Sequence, residues 1–134
     1  MQTEDLCKLV DKIQHLHCEM QTIELKAANK GCPTRLYDTL SSFANQDEGG
    51  ILIFGIDESK DFEVVGVYDA QDLQKKVTEQ CNQMSPVVRA LFTVAEIEEK
   101  IIVAAEIPGF DVSERPCFYR GAGRLRGAYI RVGD

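Results

Sequence analysis

A chain of 134 residues has the size of one domain, and 44% hydrophobic with 28% charged residues marks it as globular rather than disordered. Its formal charge of −7 excludes a uniformly basic nucleic-acid binder, the longest apolar run (residues 51–55) is too short to cross a bilayer, and the opening residues do not read as a secretory signal. Five cysteines, an odd number with no Cys-x-x-Cys pair, exclude a disulfide scaffold and a paired-thiol zinc site, and point to reduced core thiols in a cytoplasmic protein.

Leu6, Leu9, Val10, Ile13 and Leu16 fall at helical spacing, so residues 1–17 are expected to form an N-terminal helix. Thr22–Lys26 alternates and reads as a strand. Pro33 suits the first turn of a second helix, whose apolar face carries Leu36, Tyr37, Leu40, Phe43 and Ala44. That helix is expected to end at Asn45, a residue that tolerates the left-handed conformation, before the Asp47-Glu48-Gly49-Gly50 turn. Ile51–Ile56 is apolar on both faces and therefore a central strand. A polar turn leads into Phe62–Val67, and Asp69 with Asp72 opens a third helix carrying Leu73, Val77, Cys81 and Met84, closed by Pro86.

Val87–Ile97 and Ile101–Ile107 flank Glu98-Glu99-Lys100 as a hairpin, and Cys117–Arg120 and Ala128–Val132 read as short late strands. The whole predicts an α+β domain: a mixed, mostly antiparallel sheet flanked by about three helices. A chain that stops directly after a strand reads as the N-terminal part of a longer protein.

Charge is divided unevenly along the chain. Residues 1–114 hold 10 basic and 21 acidic side chains, a balance of −11, whereas residues 115–131 hold Arg115, Arg120, Arg124, Arg126 and Arg131 and no acid. Arginine suits bidentate phosphate contacts, and Phe118, Tyr119 and Tyr129 interleave aromatic rings that can stack on bases. Asn45, at the turn into the central strand, is a further candidate for a phosphate or base contact. Glu24 and Lys26 share one strand face. With Glu19 and Asp57 they form a candidate set for Mg²⁺ or Mn²⁺, with the lysine beside a scissile phosphate. No G-x-x-x-x-G-K-[ST] loop, G-x-S-x-G elbow or carboxylate–histidine ladder supports ATPase or acyl-transfer chemistry.

In order, Glu19-x-x-x-x-Glu24-Leu25-Lys26, Phe43-Ala44-Asn45 before Gly49-Gly50, Gly55-Ile56-Asp57, Ile107-Pro108 and Tyr129-Ile130-Arg131-Val132-Gly133 resemble the Schlafen AlbA domain. This is a divergent Alba-like module also found at the N-terminus of many bacterial transcriptional regulators. The resemblance spans residues 18–134. It implies an α+β nucleic-acid-binding domain, with DNA rather than RNA as partner, followed by an effector region such as a winged helix.

In the animal branch the module belongs to a metal-dependent nuclease acting on structured RNA. Its three acids match Glu19, Glu24 and either Asp57 or Glu58, whereas the family commonly shows two adjacent Asp at the last position. A single domain of this kind would dimerise to build a comparable groove. Two function classes follow. One is a cofactor-free nucleic-acid-binding domain of a transcriptional regulator, using Asn45 and Arg115, Arg120, Arg124, Arg126 and Arg131. The other is an Mg²⁺- or Mn²⁺-dependent phosphodiesterase using Glu19, Glu24, Lys26 and Asp57. A ligand-sensing or protein-interaction module is the reading if no nucleic acid binds.

Overall fold

The computed structural model describes residues 1–17 and 22–122. Helix α1 (Thr3–Leu16) is followed by strand β1 (Ile23–Lys26), helix α2 (Tyr37–Ala44), strand β2 (Gly50–Phe54) and the short hairpin β3 (Ile56–Asp57) and β4 (Glu63–Val64). Helix α3 (Ala70–Cys81), strand β5 (Met84–Ser85), the long hairpin β6 (Leu91–Ile97) and β7 (Lys100–Ile107), and strand β8 (Phe118–Tyr119) complete the described chain. The main sheet has the order β1-β2-β7-β6, with β1 parallel to β2 and the other pairs antiparallel. This is the α+β class with a mixed, mostly antiparallel sheet and three helices.

The double-sided apolar pattern of β2 explains the layering. Leu52 and Phe54 point to one face, where α2 and α3 cover them with Leu40, Phe43, Leu73 and Val77. Ile51 and Ile53 point to the other, where α1 supplies Leu6, Val10 and Ile13. Those three side chains recur one helical turn apart and are at most 1% exposed. Burying them contributes roughly 5–8 kcal/mol of hydrophobic free energy. The start of α1 also overhangs the outer edge of β6, where the Thr3 hydroxyl donates to the Val94 carbonyl at 3.1 Å. No described helix is long and apolar enough to cross a membrane.

Several local expectations need correction, first Met84, which pairs with Tyr119 in β5 instead of extending the apolar face of α3, a helix that ends at Cys81. Pro33 lies outside α2, which starts at Tyr37 because Gln80 of α3 organises the preceding loop. Its amide donates to the Pro33 carbonyl at 2.8 Å, and its Oε1 accepts the Leu36 N–H at 2.9 Å. The central strand does not run unbroken to Ile56: Gly55, at φ +110°, breaks it and hands the chain to the β3–β4 hairpin. Asn45 ends α2 at φ −91° and ψ 12°, outside the left-handed region, so helix termination does not explain its residue type. The expected strand Ala128–Val132 lies outside the described residues.

Glu98 and Glu99, between β6 and β7, both hold left-handed backbone, with φ 53° and 66°. Two-residue hairpin turns of this hand favour Asn-Gly because a Cβ there is strained. The double substitution Glu98→Asn/Glu99→Gly is therefore expected to stabilise the domain by about 1–2 kcal/mol. A urea unfolding midpoint that does not rise would count against strain at this turn.

Four described cysteines are free thiols, and Cys18 lies outside the described residues. Cys81 and Cys117 are buried: burial, then the neighbouring Cys117, pushes the Cys81 thiol up to about 12, and burial alone pushes Cys117 up to about 11. Both stay protonated core residues at neutral pH rather than nucleophiles.

Candidate nucleic-acid interface

The arginine-rich segment begins as a strap that runs from Asn45 at the C-terminal end of α2 to Tyr37 at its start, and passes the C-terminal end of α3. Its main anchor is Asn45. The Asn45 Oδ1 accepts the Cys117 N–H at 2.7 Å and its Nδ2 donates to the Cys117 carbonyl at 3.0 Å, so one side-chain amide pairs with a whole residue of main chain. Ser41, fully buried one helical turn earlier, donates its hydroxyl to the same carbonyl at 2.8 Å. Beyond this lock, Ser85 of β5 pairs with Phe118 and Met84 with Tyr119. The Asn45 amide, expected to face a ligand, thus acts on the strap itself.

The two described arginines of the segment differ in electrostatic state. Arg115 donates from Nη2 to Asp47 Oδ1 at 2.7 Å and from Nε to the Phe110 carbonyl at 2.9 Å, so its charge is matched and it ties the strap to the loop after α2. Arg120 is exposed. Its Nη2 donates to the Asn82 carbonyl at 2.7 Å and its Nε to the Gln83 carbonyl at 3.4 Å. Carbonyls at the C-terminal end of α3 orient this guanidinium without cancelling its charge, and among the described residues it has no ion pair. Arg124, Arg126 and Arg131 lie outside the described residues.

The sequence offered no sign of the partner of Tyr119. Its ring stacks on Tyr37, the first residue of α2, with centroids 3.9 Å apart and planes 15° from parallel. The Tyr37 hydroxyl donates to Gln83 Oε1 at 3.2 Å. Burial, then the facing Tyr119, raises the Tyr37 phenol above its ordinary value.

The acidic candidates lie elsewhere. Glu24 and Lys26 do share a face of β1, in register with Leu52 and Phe54 of β2, and both are half-buried at the sheet edge. Asp57 follows Gly55, whose N–H bonds to the Lys26 carbonyl, so the turn brings it past the end of β1. Its Oδ1 accepts the Ser59 hydroxyl at 2.6 Å and the Ser59 N–H at 3.0 Å, capping a single 3₁₀ turn, Glu58–Lys60. The Ser59 hydroxyl is the main cause holding that carboxyl below its usual range. Glu19 lies outside the described residues, and among those described no three carboxylate, thiol or imidazole groups converge to hold a cation.

A family model described as Schlafen, AlbA_2 matches residues 19–134. No curated protein matches the chain. Among solved structures, the chain is similar to the N-terminal domain of a RecG-related protein of Nitrosomonas europaea, a presumed ATP-dependent DNA helicase studied by solution NMR. The TM-score is 0.73 at 26% identity, over 95% of this chain and 88% of that one. The DIP2311 protein of Corynebacterium diphtheriae shares the fold alone, with TM-score 0.54 and 15% identity, over 88% of this chain and 24% of that one.

Proposed function

From the membership of this chain in the Schlafen AlbA_2 family, we propose that it is a nucleic-acid-binding module of a transcriptional regulator, with the strap from Arg115 onward as its contact surface. One observation carries the reading: the described start of the arginine-rich segment is built into the fold by the Asn45–Cys117 lock, and Arg120 is held against the Asn82 and Gln83 carbonyls. A cation fixed in position contacts a phosphate with less ordering entropy than one on a loose chain. The similarity to the N-terminal domain of a DNA-helicase-related protein supports the same class of ligand. Against a chain of net charge −7, binding must be local to this face.

The test is anisotropy titration of labelled duplex DNA, single-stranded DNA and structured RNA across a salt series, with and without Mn²⁺, and the endpoints run on a gel. Neutralising about four phosphates on a duplex should give a log K versus log salt slope of about −3 to −4. The slope should shrink in Arg124→Ala/Arg126→Ala with the substrate left intact. Absence of binding to all three would overturn the proposal and favour a sensor or protein-contact module. Manganese-dependent cleavage that disappears in Glu24→Gln would replace it with the phosphodiesterase built on Glu19, Glu24, Lys26 and Asp57.

A further inference from the structure

Three elements distant in sequence meet at Gln83. Its side-chain Oε1 holds the Tyr37 hydroxyl, and its carbonyl accepts both the Arg120 N–H at 3.1 Å and the Arg120 Nε. The residue after α3 thereby couples the head of α2, which carries the stacked ring, to the strap, which carries the cation.

The stack has main chain against one of its rings and an exposed arginine close to each ring in sequence. A Cβ on Gly121 would come within 2.5 Å of both Cζ and Oη of Tyr119, so the bare main chain of Gly121 lies against that ring. Tyr119 thus has the Tyr37 ring stacked on it and the Gly121 main chain at its hydroxyl end, and both rings also pack against the core under α2 and α3. Both tyrosines are half-buried, whereas Arg35, two residues before Tyr37, and Arg120, next to Tyr119, are exposed. Neither arginine is in an ion pair among the described residues. Lys76 of α3 is paired with Asp72 at 3.1 Å and is a poorer phosphate contact.

Two parallel rings with two unmatched guanidinium groups close to them in sequence match the chemistry of an unpaired nucleotide, whose base offers a π face and whose phosphates offer negative charge. A base inside a duplex is already stacked on both faces and cannot reach such a ring. We propose that the Tyr37–Tyr119 stack, with Arg35 and Arg120, is a base-stacking platform that makes unpaired nucleotides the preferred ligand of this face. The proposal rests on the nucleic-acid reading above and narrows it to single strands.

The chain contains no tryptophan and only four tyrosines, so its intrinsic emission reports on the platform directly. Unlabelled and fluorescein-labelled dT15 and a 15-base-pair duplex are titrated against wild type, Tyr37→Leu and Arg35→Glu at low salt. Wild type is expected to bind dT15 about 10-fold more tightly than duplex, with quenching of tyrosine emission. Tyr37→Leu should lose about 10-fold on dT15 and less than about 2-fold on duplex. Arg35→Glu, a change at an exposed position, keeps the test decisive if Tyr37→Leu fails to fold: it should weaken dT15 several-fold and reduce the quenching. Equal affinity for duplex and dT15, or dT15 binding unchanged by these substitutions, would overturn the platform while leaving nucleic-acid binding standing. Binding to neither probe would overturn both.

Discussion

Replacing Asn45 with alanine is expected to cost about 3 kcal/mol and to lower the thermal unfolding midpoint by about 10 °C. The truncation removes both hydrogen bonds to Cys117 and the one from Nδ2 to the Ser41 hydroxyl at 3.1 Å, and leaves the N–H of Cys117, a fully buried residue, without its acceptor. Each bond is worth about 1 kcal/mol and the stranded buried donor about 1–3 kcal/mol. The Cys117 carbonyl keeps Ser41, which limits the damage to one side of the residue. Asn45→Asp retains an acceptor for the Cys117 N–H but sets a carboxylate against the Cys117 carbonyl, so it should fall between wild type and alanine. Calorimetry on the three proteins checks the order. A midpoint for Asn45→Ala within about 2 °C of wild type would mean that the strap is held by other contacts.

Gly49→Ala should be at least as damaging, with an expected loss above about 3 kcal/mol and a sharply reduced soluble yield. Gly49 has φ +66°, which penalises any Cβ, and the added methyl would sit 2.1 Å from the Ile107 carbonyl oxygen and 2.8 Å from the Gly109 nitrogen. Both are main-chain atoms at the end of β7 and cannot swing aside. The next residue fails for a different reason: a Cβ on Gly50 would lie within 2.5 Å of three atoms of the fully buried Phe43 ring. Two adjacent glycines therefore let a helix end, a strand start and a neighbouring loop share one small volume. Denaturant unfolding measures the effect, and a Gly49→Ala protein within about 1 kcal/mol of wild type would show that the two loops separate more easily than their packing implies.

Periodicity made much of this architecture legible before any coordinates. The spacing of Leu6, Val10 and Ile13 and of Leu73, Val77 and Cys81 located α1 and α3, and the two-sided apolar run after Gly50 identified the strand between two cores. What stayed hidden depends on pairings between distant residues. Nothing near Pro33 reveals that Gln80 decides where α2 begins. The Phe43-Ala44-Asn45 signature marks an important amide but not that its partner is the main chain of Cys117. Composition counted Arg115 among the candidate phosphate contacts but gave no sign of its ion pair with Asp47. Tyr37 read as one more apolar position on a helix face because its stacking partner and Gln83 come from other elements.

Helix α1 belongs to the folded unit although the family model begins after it. The family match begins at residue 19, yet Leu6, Val10 and Ile13 fill one of the two cores and Thr3 occupies a carbonyl on the outer rim of β6. A polypeptide cut at the family boundary would expose Ile23, Ile53 and Ala104 beside an unshielded seven-residue strand, an invitation to intermolecular β-pairing. Grafting this module onto another protein therefore requires carrying the preceding helix along with it.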